Sequence, residues 1–547
     1  MIQNPILRGF CPDPSIIRVG EDYYIATSTF EWWPGVKLFH SKDLKHWEQI
    51  ASPLRRRSQL DMAGNPPSGG IWAPCLSYDG QYFYLVYTDV KTKKGRYYNT
   101  HNYVVYTEDI RGEWSEPVYL NSIGFDPSLF HDTDGKKYLI NMINKFKGIV
   151  VQELEAKTLR PIGERKLVYG GSEIGKTEGP HMYHIGDWYY LIVAEGGTGY
   201  THCVTMARSK SIWGPFETAP DNPILTSNRE DIYALQKCGH ADIVDTPEGE
   251  WYMVHLCSRP LNGKRWCTLG RETAIQKMKW QDGWLRLAEG GRFAATYVPE
   301  PGEMPESRLQ DGAETGTDSA VLKENQPDEK VEIGINVFDL HEHFDSAELP
   351  IGFVSPRVSC DHAVDLESRP GWLRLKGQES MNSLHRVSLL AVRQQEAQAY
   401  AATIMDFKPD YTEQLAGLTY MYDALNFYLL GITAAEEGSR VLTVLKSDQG
   451  EITDEIEPIP VPEDCDVQMK AVITDGGEAL EFFYCFTKAA DYEEKWISIG
   501  KKFTTEMITD EYCRGFTGAH FGLYAHDMTG LGYCAAFDRF DVVYDRG

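Results

Sequence analysis

The sequence has no long apolar run, and it has far fewer positive than negative charges. None of its apolar stretches reaches the roughly 20 residues that a membrane-spanning helix needs. Lys and Arg total 54 against 80 Asp and Glu, which gives a net charge of −26. Nucleic acid and anionic membrane are therefore excluded as expected partners, because both are bound by clustered Lys and Arg. A neutral ligand such as a sugar is compatible with this charge.

Cysteine is present without the spacing of a metal or redox motif. The eleven Cys residues are widely spaced, and none forms a C-x-x-C pair. The first residues, MIQNPILRGF, also lack a basic stretch followed by an apolar run, so we expect no signal peptide. We therefore expect reduced thiols in a cytoplasmic protein. Cys11, two residues before Asp13, is expected to be a small buried apolar residue, with a place in the lining of the site as the alternative.

Helical periodicity is weak throughout, and the first 290 residues instead contain five segments that resemble one another. They are FCPDPSIIRVGEDYYIAT from Phe10, IWAPCLSYDGQYFYLVYT from Ile71, FDPSLFHDTDGKKYLINM from Phe125, TEGPHMYHIGDWYYLIVA from Thr177 and GHADIVDTPEGEWYMVHL from Gly239. Each has a short apolar strand, a Gly or Asp turn and an aromatic strand, and equivalent positions are 52 to 62 residues apart. Such a period indicates an array of β-meanders, and five of them predict a five-bladed β-propeller.

Equivalent residues of the five repeats should meet near the propeller axis. They are Asp13, Ala73, Asp126, Glu178 and His240. Two or more carboxylates in a cleft suit glycoside hydrolysis, because one protonated acid donates to the leaving oxygen while an ionised one attacks or activates water. Like charges raise the pKa of one member of such a set. A single Asp in such a turn would be interpreted as a structural residue that caps the turn. Three acids at corresponding positions of the repeats instead favour a catalytic site.

Other features of the chain complete the domain prediction. Trp47, Trp114 and Trp213 each follow a polar turn late in a repeat and are predicted to be structural wedges between blades. From Glu306 the chain is polar and acidic, which is typical of a linker. After Val331 about ten alternating strand patterns return and predict a β-sandwich. We predict an all-β protein with a propeller at 1–300, a linker or surface excursion at 301–334 and a sandwich at 335–547.

The longest motifs resemble those of glycoside hydrolase family 43, and of its two-domain β-xylosidases in particular. They are GFCPDPSIIRVGEDYYIATSTFEWWPGVKLFHSKDLKHW, SGGIWAP, GFDPSLFHD, KTEGPHMY and GTGYTHCVTMARS. The likeness covers essentially the whole chain and implies a five-bladed β-propeller with inverting chemistry, followed by a concanavalin-like jelly roll. By motif, it implies Asp13 as the general base and Glu178 as the general acid. It implies that Asp126 tunes the pKa of Glu178 and orients it.

The same resemblance implies residues that bind the sugar. Phe30 and Trp72 resemble the aromatic walls of the terminal sugar subsite, for which core packing is the alternative. Arg271 resembles an arginine that reaches into that subsite, with a surface ion pair as the alternative. Phe516 resembles an aromatic residue of the second domain that covers the site.

His240 is also predicted among the substrate-binding residues. It resembles the axial histidine of the family, which in some members helps to hold calcium or a water cluster. One imidazole is a poor site for a hard cation, so we expect no required metal or cofactor and leave an axial or structural calcium open. Relatives often carry Glu at the position of Thr201, and Asn or His at the position of Cys11. The roles of these two positions stay open.

The predicted function is the exo-acting, inverting release of single xylose units from the non-reducing end of β-1,4-xylo-oligosaccharides. Relatives are often dimers or tetramers, so a homo-oligomer is expected. One alternative is an α-L-arabinofuranosidase of the same family. Another is a retaining five-bladed fructan or sucrose hydrolase, although PDPS, FDPS and TEGP replace the signatures of that group. A third is a non-catalytic carbohydrate-binding propeller, which would not need three acids.

Overall fold

The computed structural model describes residues 1–229, 235–261, 263–303, 337–487 and 495–545. Its first part consists of five antiparallel sheets arranged as the blades of a propeller. Blade I contains Ser15–Val19, Asp22–Thr27, Lys37–Ser41 and Glu48–Ala51. Blade II contains Gly70–Tyr78, Phe83–Thr92, Asn99–Thr107 and Val118–Asn121. Blade III contains Ser128–His131, Lys137–Met142, Ile149–Leu154 and Lys166–Tyr169. Blade IV contains Glu178–Ile185, Trp188–Glu195, Cys203–Ser209, Glu217–Thr218 and Leu225–Thr226. Blade V contains Gln236–Asp245, Trp251–Ser258, Glu272–Gln281 and Trp284–Leu287.

The ring of blades is closed by the beginning of the chain. Ile2–Gln3 pairs antiparallel with Tyr297–Val298, which follows blade V. The backbone N–H of Cys11 also donates to the carbonyl of Arg271, at 2.9 Å. This closure brings Arg271 close to the segment that carries Asp13.

The backbone repeats at the positions that the sequence aligned. Asp13, Ala73, Asp126 and His240 all have positive φ, between 38° and 53°. In blade IV the left-handed residue is Gly179, with φ 57°, directly after Glu178. A non-glycine residue in this region costs of order 1 kcal/mol, and such strain is concentrated at functional sites. The fourth repeat is therefore shifted by one residue relative to the others.

The three tryptophans predicted as wedges pack between blades. Trp47 lies in an apolar cluster with Tyr252 of blade V, and Trp114 lies in a cluster with Leu38 of blade I. Trp213 is only partly buried, but its ring meets that of Tyr138 from blade III edge-on, at 5.7 Å. The wedge prediction is confirmed for all three.

The second part is a sandwich of two antiparallel sheets, which confirms the predicted fold class. In spatial order, one sheet contains Val364–Asp365, Leu373–Lys376, Cys534–Tyr544, Ala399–Asp406, Asp466–Thr474, Ala479–Thr487 and Ile497–Thr504, with Leu340–Glu342 beside Cys534–Tyr544. The other contains Ser388–Arg393, His520–Asp527, Gln414–Asp423, Asn426–Ala434, Arg440–Asp448 and Glu451–Asp454, with Ile459–Pro460 beside Arg440–Asp448. Short helical turns lie at Asp361–Ala363, Asp475–Gly477, Glu506–Ile508 and Asp510–Cys513. The predicted linker lies, from residue 304 on, outside the described residues.

One apolar cluster spans both parts. A single cluster contains Phe10, Phe30 and Trp32 of the propeller together with Leu389 and Tyr524 of the sandwich. A two-stranded sheet between 32–33 and 355–356 adds backbone hydrogen bonds to this contact. The sandwich is thus packed directly onto the side of the propeller that carries Phe30.

Two sequence expectations concern membrane-spanning segments and cysteines. In the described part of the chain, no helix combines the length and the apolarity needed to cross a bilayer. All eleven Cys side chains are free thiols. Cys11 is fully buried in an apolar cluster, as its residue type predicted.

Candidate active site

Three carboxyl groups converge where the inner strands of blades I, III and IV begin. Asp13 and Asp126 each lie two residues before an inner strand, and Glu178 is the first residue of Glu178–Ile185. All three side chains are buried, with exposed fractions of 5 to 8 %. The sequence prediction that the repeats bring these acids together therefore agrees with the geometry.

Burial and neighbouring charge favour the protonated form of Glu178. Burial is the larger cause and the negative charge of Asp13 adds to it, so the pKa of Glu178 rises to about 8, although Arg271 opposes the shift. Among the described residues, Oε1 of Glu178 has no hydrogen-bond partner. A protonated carboxyl with an unpaired oxygen is suited to give a proton to a bound leaving group.

Asp13 is held in a fixed orientation by a neighbouring hydroxyl. The hydroxyl of Ser28 donates to Oδ2 of Asp13 at 2.7 Å and accepts the backbone N–H of Ala73 at 2.8 Å. The other carboxylate oxygen, Oδ1, lies 3.8 Å from Nδ1 of His240. Burial lowers the pKa of His240, which favours its neutral ring beside Asp13. Ser28 precedes Phe30 in the STFEW segment, but no pattern in the sequence identified it.

Asp126 orients the peptide that follows Glu178. Its Oδ2 accepts the backbone N–H of Gly179 at 3.0 Å. Burial, and then the charges of Glu178 and Asp13, raise the pKa of Asp126 well above its usual range. Gly179 is required at this point, because it has positive φ and a Cβ there would lie 3.0 Å from the ring of His240.

An aromatic enclosure is formed by residues of both domains. The ring centre of Phe30 lies 6.1 Å from that of Trp72. The ring centre of Phe516, from the sandwich, lies 5.7 Å from that of Phe30 and 6.0 Å from that of Trp72. Phe30 and Trp72 are buried, whereas Phe516 is half-buried. The three rings that the resemblance implied thus form one enclosure, a common way to hold the apolar face of a sugar.

Arg271 lies against this enclosure, and its charge acts on Glu178. Its guanidinium carbon lies 4.4 Å from the centre of the Phe516 ring, and its Nη2 donates to the carbonyl of Thr198 at 3.1 Å. Its Nε lies 3.9 Å from Oδ2 of Asp510. The side chain is buried, so the surface ion pair considered as an alternative is wrong.

The segment that carries Phe516 is tied to the propeller by a buried ion network. Nζ of Lys237 lies 3.1 Å from Asp510 and 2.7 Å from Glu511, both in the short helix Asp510–Cys513. Although burial opposes it, the Asp510 carboxylate helps to hold the pKa of Lys237 above its usual value. The hydroxyl of Tyr422 donates to Asp510 at 2.7 Å. These bonds fix the sandwich residues against the propeller only a few residues before Phe516.

Two further residues at the site were missed by sequence reasoning. Lys93 places its Nζ 4.7 Å from the centre of the Phe516 ring, and burial lowers its pKa to about 8. Tyr98 is 40 % exposed, and burial together with the charge of Glu178 raises its pKa. Both follow the aromatic strand of the second repeat, where no motif distinguishes them.

Side chains alone do not form a calcium site around His240 in the part of the chain that the structure describes. In the described ranges, no three His, Cys, Asp or Glu side chains are grouped so that they could hold a metal. The carboxylate of Asp13 lies 3.8 Å from Nδ1 of His240, and the positive charge of Arg271 acts on the same ring. Calcium takes about six to eight oxygen ligands. We therefore assign no metal-dependent role to these residues, and both the absence of a required cofactor and an axial or structural calcium stay predictions.

Comparison with known proteins identifies the family. Residues 2–285 match the model of glycosyl hydrolases family 43. The chain belongs to this family. It is therefore a glycoside hydrolase, and the resemblance seen in the motifs is confirmed. Residues 341–543 match the model of the β-xylosidase C-terminal concanavalin A-like domain.

Individual relatives agree with this assignment over the full length of the chain. The chain is 43 % identical to "Xylosidase/arabinosidase 43B" of Humicola insolens, over 98 % of this chain and 97 % of that protein. It is 42 % identical to "Beta-xylosidase" of Bacillus subtilis (strain 168), over 98 % of this chain and 99 % of that protein. The crystal structure of a xylan β-1,4-xylosidase from Bacillus halodurans C-125 matches with a TM-score of 0.89 at 43 % identity and covers 100 % of both chains.

Proposed function

We propose that this protein is an exo-acting, inverting β-xylosidase that releases single xylose units from the non-reducing end of β-1,4-xylo-oligosaccharides. The observation that carries the proposal is the buried carboxyl of Glu178, whose pKa is raised by burial and by the charge of Asp13. Arg271, whose charge also acts on Glu178, lies against the Phe516 ring of the aromatic enclosure. The names of the relatives, "Beta-xylosidase" and "Xylosidase/arabinosidase 43B", support a xylose-containing substrate.

In the proposed mechanism, the two carboxyl groups act on opposite faces of the terminal sugar. Glu178 gives its proton to the glycosidic oxygen as the bond to the anomeric carbon breaks. Asp13 takes a proton from a water molecule, whose oxygen attacks the same carbon from the other face. Asp126 keeps Glu178 in position through the Gly179 amide. At the end of the cycle Glu178 is ionised and Asp13 holds the proton that it took from water, and exchange with solvent restores both groups.

The aromatic cover explains why the action would be at the chain end. An open propeller funnel would accept a polysaccharide at any point along its length. Phe516 closes one side of the site against Phe30 and Trp72. A closed wall also excludes water and so strengthens the electrostatic interactions inside.

We expect the anomeric configuration to invert. Proton NMR recorded during the first turnovers of a β-xyloside should show α-xylose before mutarotation mixes the anomers. Asp13, as a base, delivers water instead of forming a covalent bond with the sugar, which is the reason for this outcome. If β-xylose formed first, a retaining mechanism like that of the fructan and sucrose hydrolases would replace the proposal.

Removal of the aromatic cover should weaken substrate binding. We expect Phe516→Ala to raise KM for xylobiose about thirtyfold while the protein stays folded, since a buried aromatic face contributes about 2 kcal/mol. Initial rates as a function of xylobiose concentration test this, with the thermal midpoint as the folding control. An unchanged KM would show that the sandwich plays no part in the sugar site.

The α-L-arabinofuranosidase alternative remains a second candidate, on the strength of a specific comparison. A relative named "Non-reducing end alpha-L-arabinofuranosidase BoGH43B" from Bacteroides ovatus is 33 % identical over 98 % of this chain. Parallel assays with p-nitrophenyl β-xyloside and α-L-arabinofuranoside distinguish the two activities. The cytoplasmic location and the homo-oligomer stay predictions.

A further inference from the structure

Ser68 is a buried residue in a strained conformation that the mechanism does not use. It opens the SGGIWAP motif, is 1 % exposed and has φ 55°. A serine in the left-handed region is unusual, and such strain persists only where surrounding contacts hold it. The environment of Ser68 shows which contacts those are.

Each polar group of Ser68 is hydrogen-bonded either to a residue of the aromatic enclosure or to a charged residue beside it. Its hydroxyl accepts the backbone N–H of Phe516 at 3.0 Å. Its carbonyl accepts the indole N–H of Trp72 at 3.0 Å and the amine of Lys93 at 3.3 Å. Its own N–H donates to the carboxylate of Glu31 at 2.9 Å. One residue is therefore bonded to two of the three aromatic walls.

The sandwich approaches this point closely before it reaches Phe516. A Cβ at Gly515 would lie 3.0 Å from Oγ of Ser68 and 2.7 Å from the hydroxyl of Tyr422. Only glycine allows the chain to pass between these two groups. On the other side, Arg357 of the sandwich donates through Nε to the carbonyl of Asn65 at 2.7 Å and through its backbone N–H to the carbonyl of Glu31 at 2.6 Å. The sandwich thus holds the segment around Ser68 from two directions.

We propose that Ser68 is a positioning residue for the sugar subsite, and that its hydroxyl sets the place of the Phe516 ring over the substrate. The proposal rests on the proposed function, since it concerns the same subsite. It assigns to the SGGIWAP motif a role besides the tryptophan that it carries. Ser68 acts through Phe516 and does not itself touch the reacting atoms.

The experiment uses two substitutions that differ in backbone strain. Ser68→Ala removes the hydroxyl and keeps a side chain at positive φ, whereas Ser68→Gly removes the hydroxyl and relieves the strain. We expect both to raise KM for p-nitrophenyl β-xyloside about fivefold with little change in kcat, because each loses one hydrogen bond that positions a binding residue. Ser41→Ala is the matched control, since the buried Ser41 hydroxyl accepts the backbone N–H of Leu44 in an outer turn. We expect wild-type KM for it.

A double-mutant cycle shows whether the effect passes through Phe516. In a Phe516→Ala background, Ser68→Ala should change KM by less than about twofold, because there is no ring left to position. An additive effect in that background would overturn the proposal, as would a wild-type KM for Ser68→Gly. If the wild-type protein cleaves only the arabinofuranoside, the substrate of the proposed function is wrong, and the same cycle run on that glycoside still decides the role of Ser68.

Discussion

Replacement of Glu178 by Gln should lower kcat on xylobiose by at least about 100-fold, the usual effect of removing a positioned acid. The loss of kcat should be smaller for substrates with a more acidic leaving group. A nitrophenolate departs with little protonation, whereas the hydroxyl of a sugar must be protonated as it leaves. A series of aryl xylosides therefore gives a steep dependence of kcat on leaving-group acidity in the variant. Glu153→Gln is a suitable control, since that carboxylate pairs with Lys136 on the outer part of blade III.

The pH profile provides an independent check on the same residue. Burial and the charge of Asp13 raise the pKa of Glu178 from 4.5 to about 8. The acid works only while it is protonated, so kcat/KM should be retained below about pH 8 and fall as the pH rises through that value. This alkaline limb should disappear in Glu178→Gln. If the alkaline fall in kcat/KM survived the substitution, the raised pKa would belong to another group. If Glu178→Gln lost the same factor in kcat on every leaving group, Glu178 would not be the general acid.

Asp13→Asn should lower kcat by at least about 100-fold on every substrate, whatever its leaving group. The amide has the size of the carboxylate and can still accept the hydroxyl of Ser28, but it cannot take a proton from water. The contrast with Glu178→Gln is the informative measurement, because the two residues act on different partners in the same transition state.

The matched control for this variant is Asp109→Asn, at a carboxylate that accepts a backbone N–H in an exposed turn of blade II. Rates for both variants are measured across the same aryl xylosides and on xylobiose. Turnover of xylobiose by Asp13→Asn close to the wild-type rate would show that another group activates the water.

The sequence was sufficient to predict the residues at the propeller axis because each blade carries its own copy of the same turn. A local pattern that recurs five times places Asp13, Asp126, Glu178 and His240 at equivalent points without knowledge of any distant contact. Blade IV differs, because the residue with positive φ is Gly179 and not the acid Glu178 that precedes it. The alignment of the repeats could not show this shift of one residue.

The contacts between the two domains could not be predicted in the same way. Lys237 and Asp510 are separated by 273 residues, and Ser68 and Phe516 by 448. No period or local motif relates such pairs, because the contact depends on how one finished domain packs on another. The role of Phe516 came from family resemblance, and no pattern in the sequence identified Ser68 or Arg357.

The continuous core between propeller and sandwich has a consequence for how this enzyme is made. Ribosomes synthesise the propeller first, so Phe10, Phe30 and Trp32 emerge long before Leu389 and Tyr524, the residues that will cover them. Until then the nascent protein presents an uncovered apolar surface beside an incomplete sugar site. Hydrolytic activity should therefore arise only late in synthesis, when the last strands of the sandwich dock, and chaperones have a defined surface to shield in the interval.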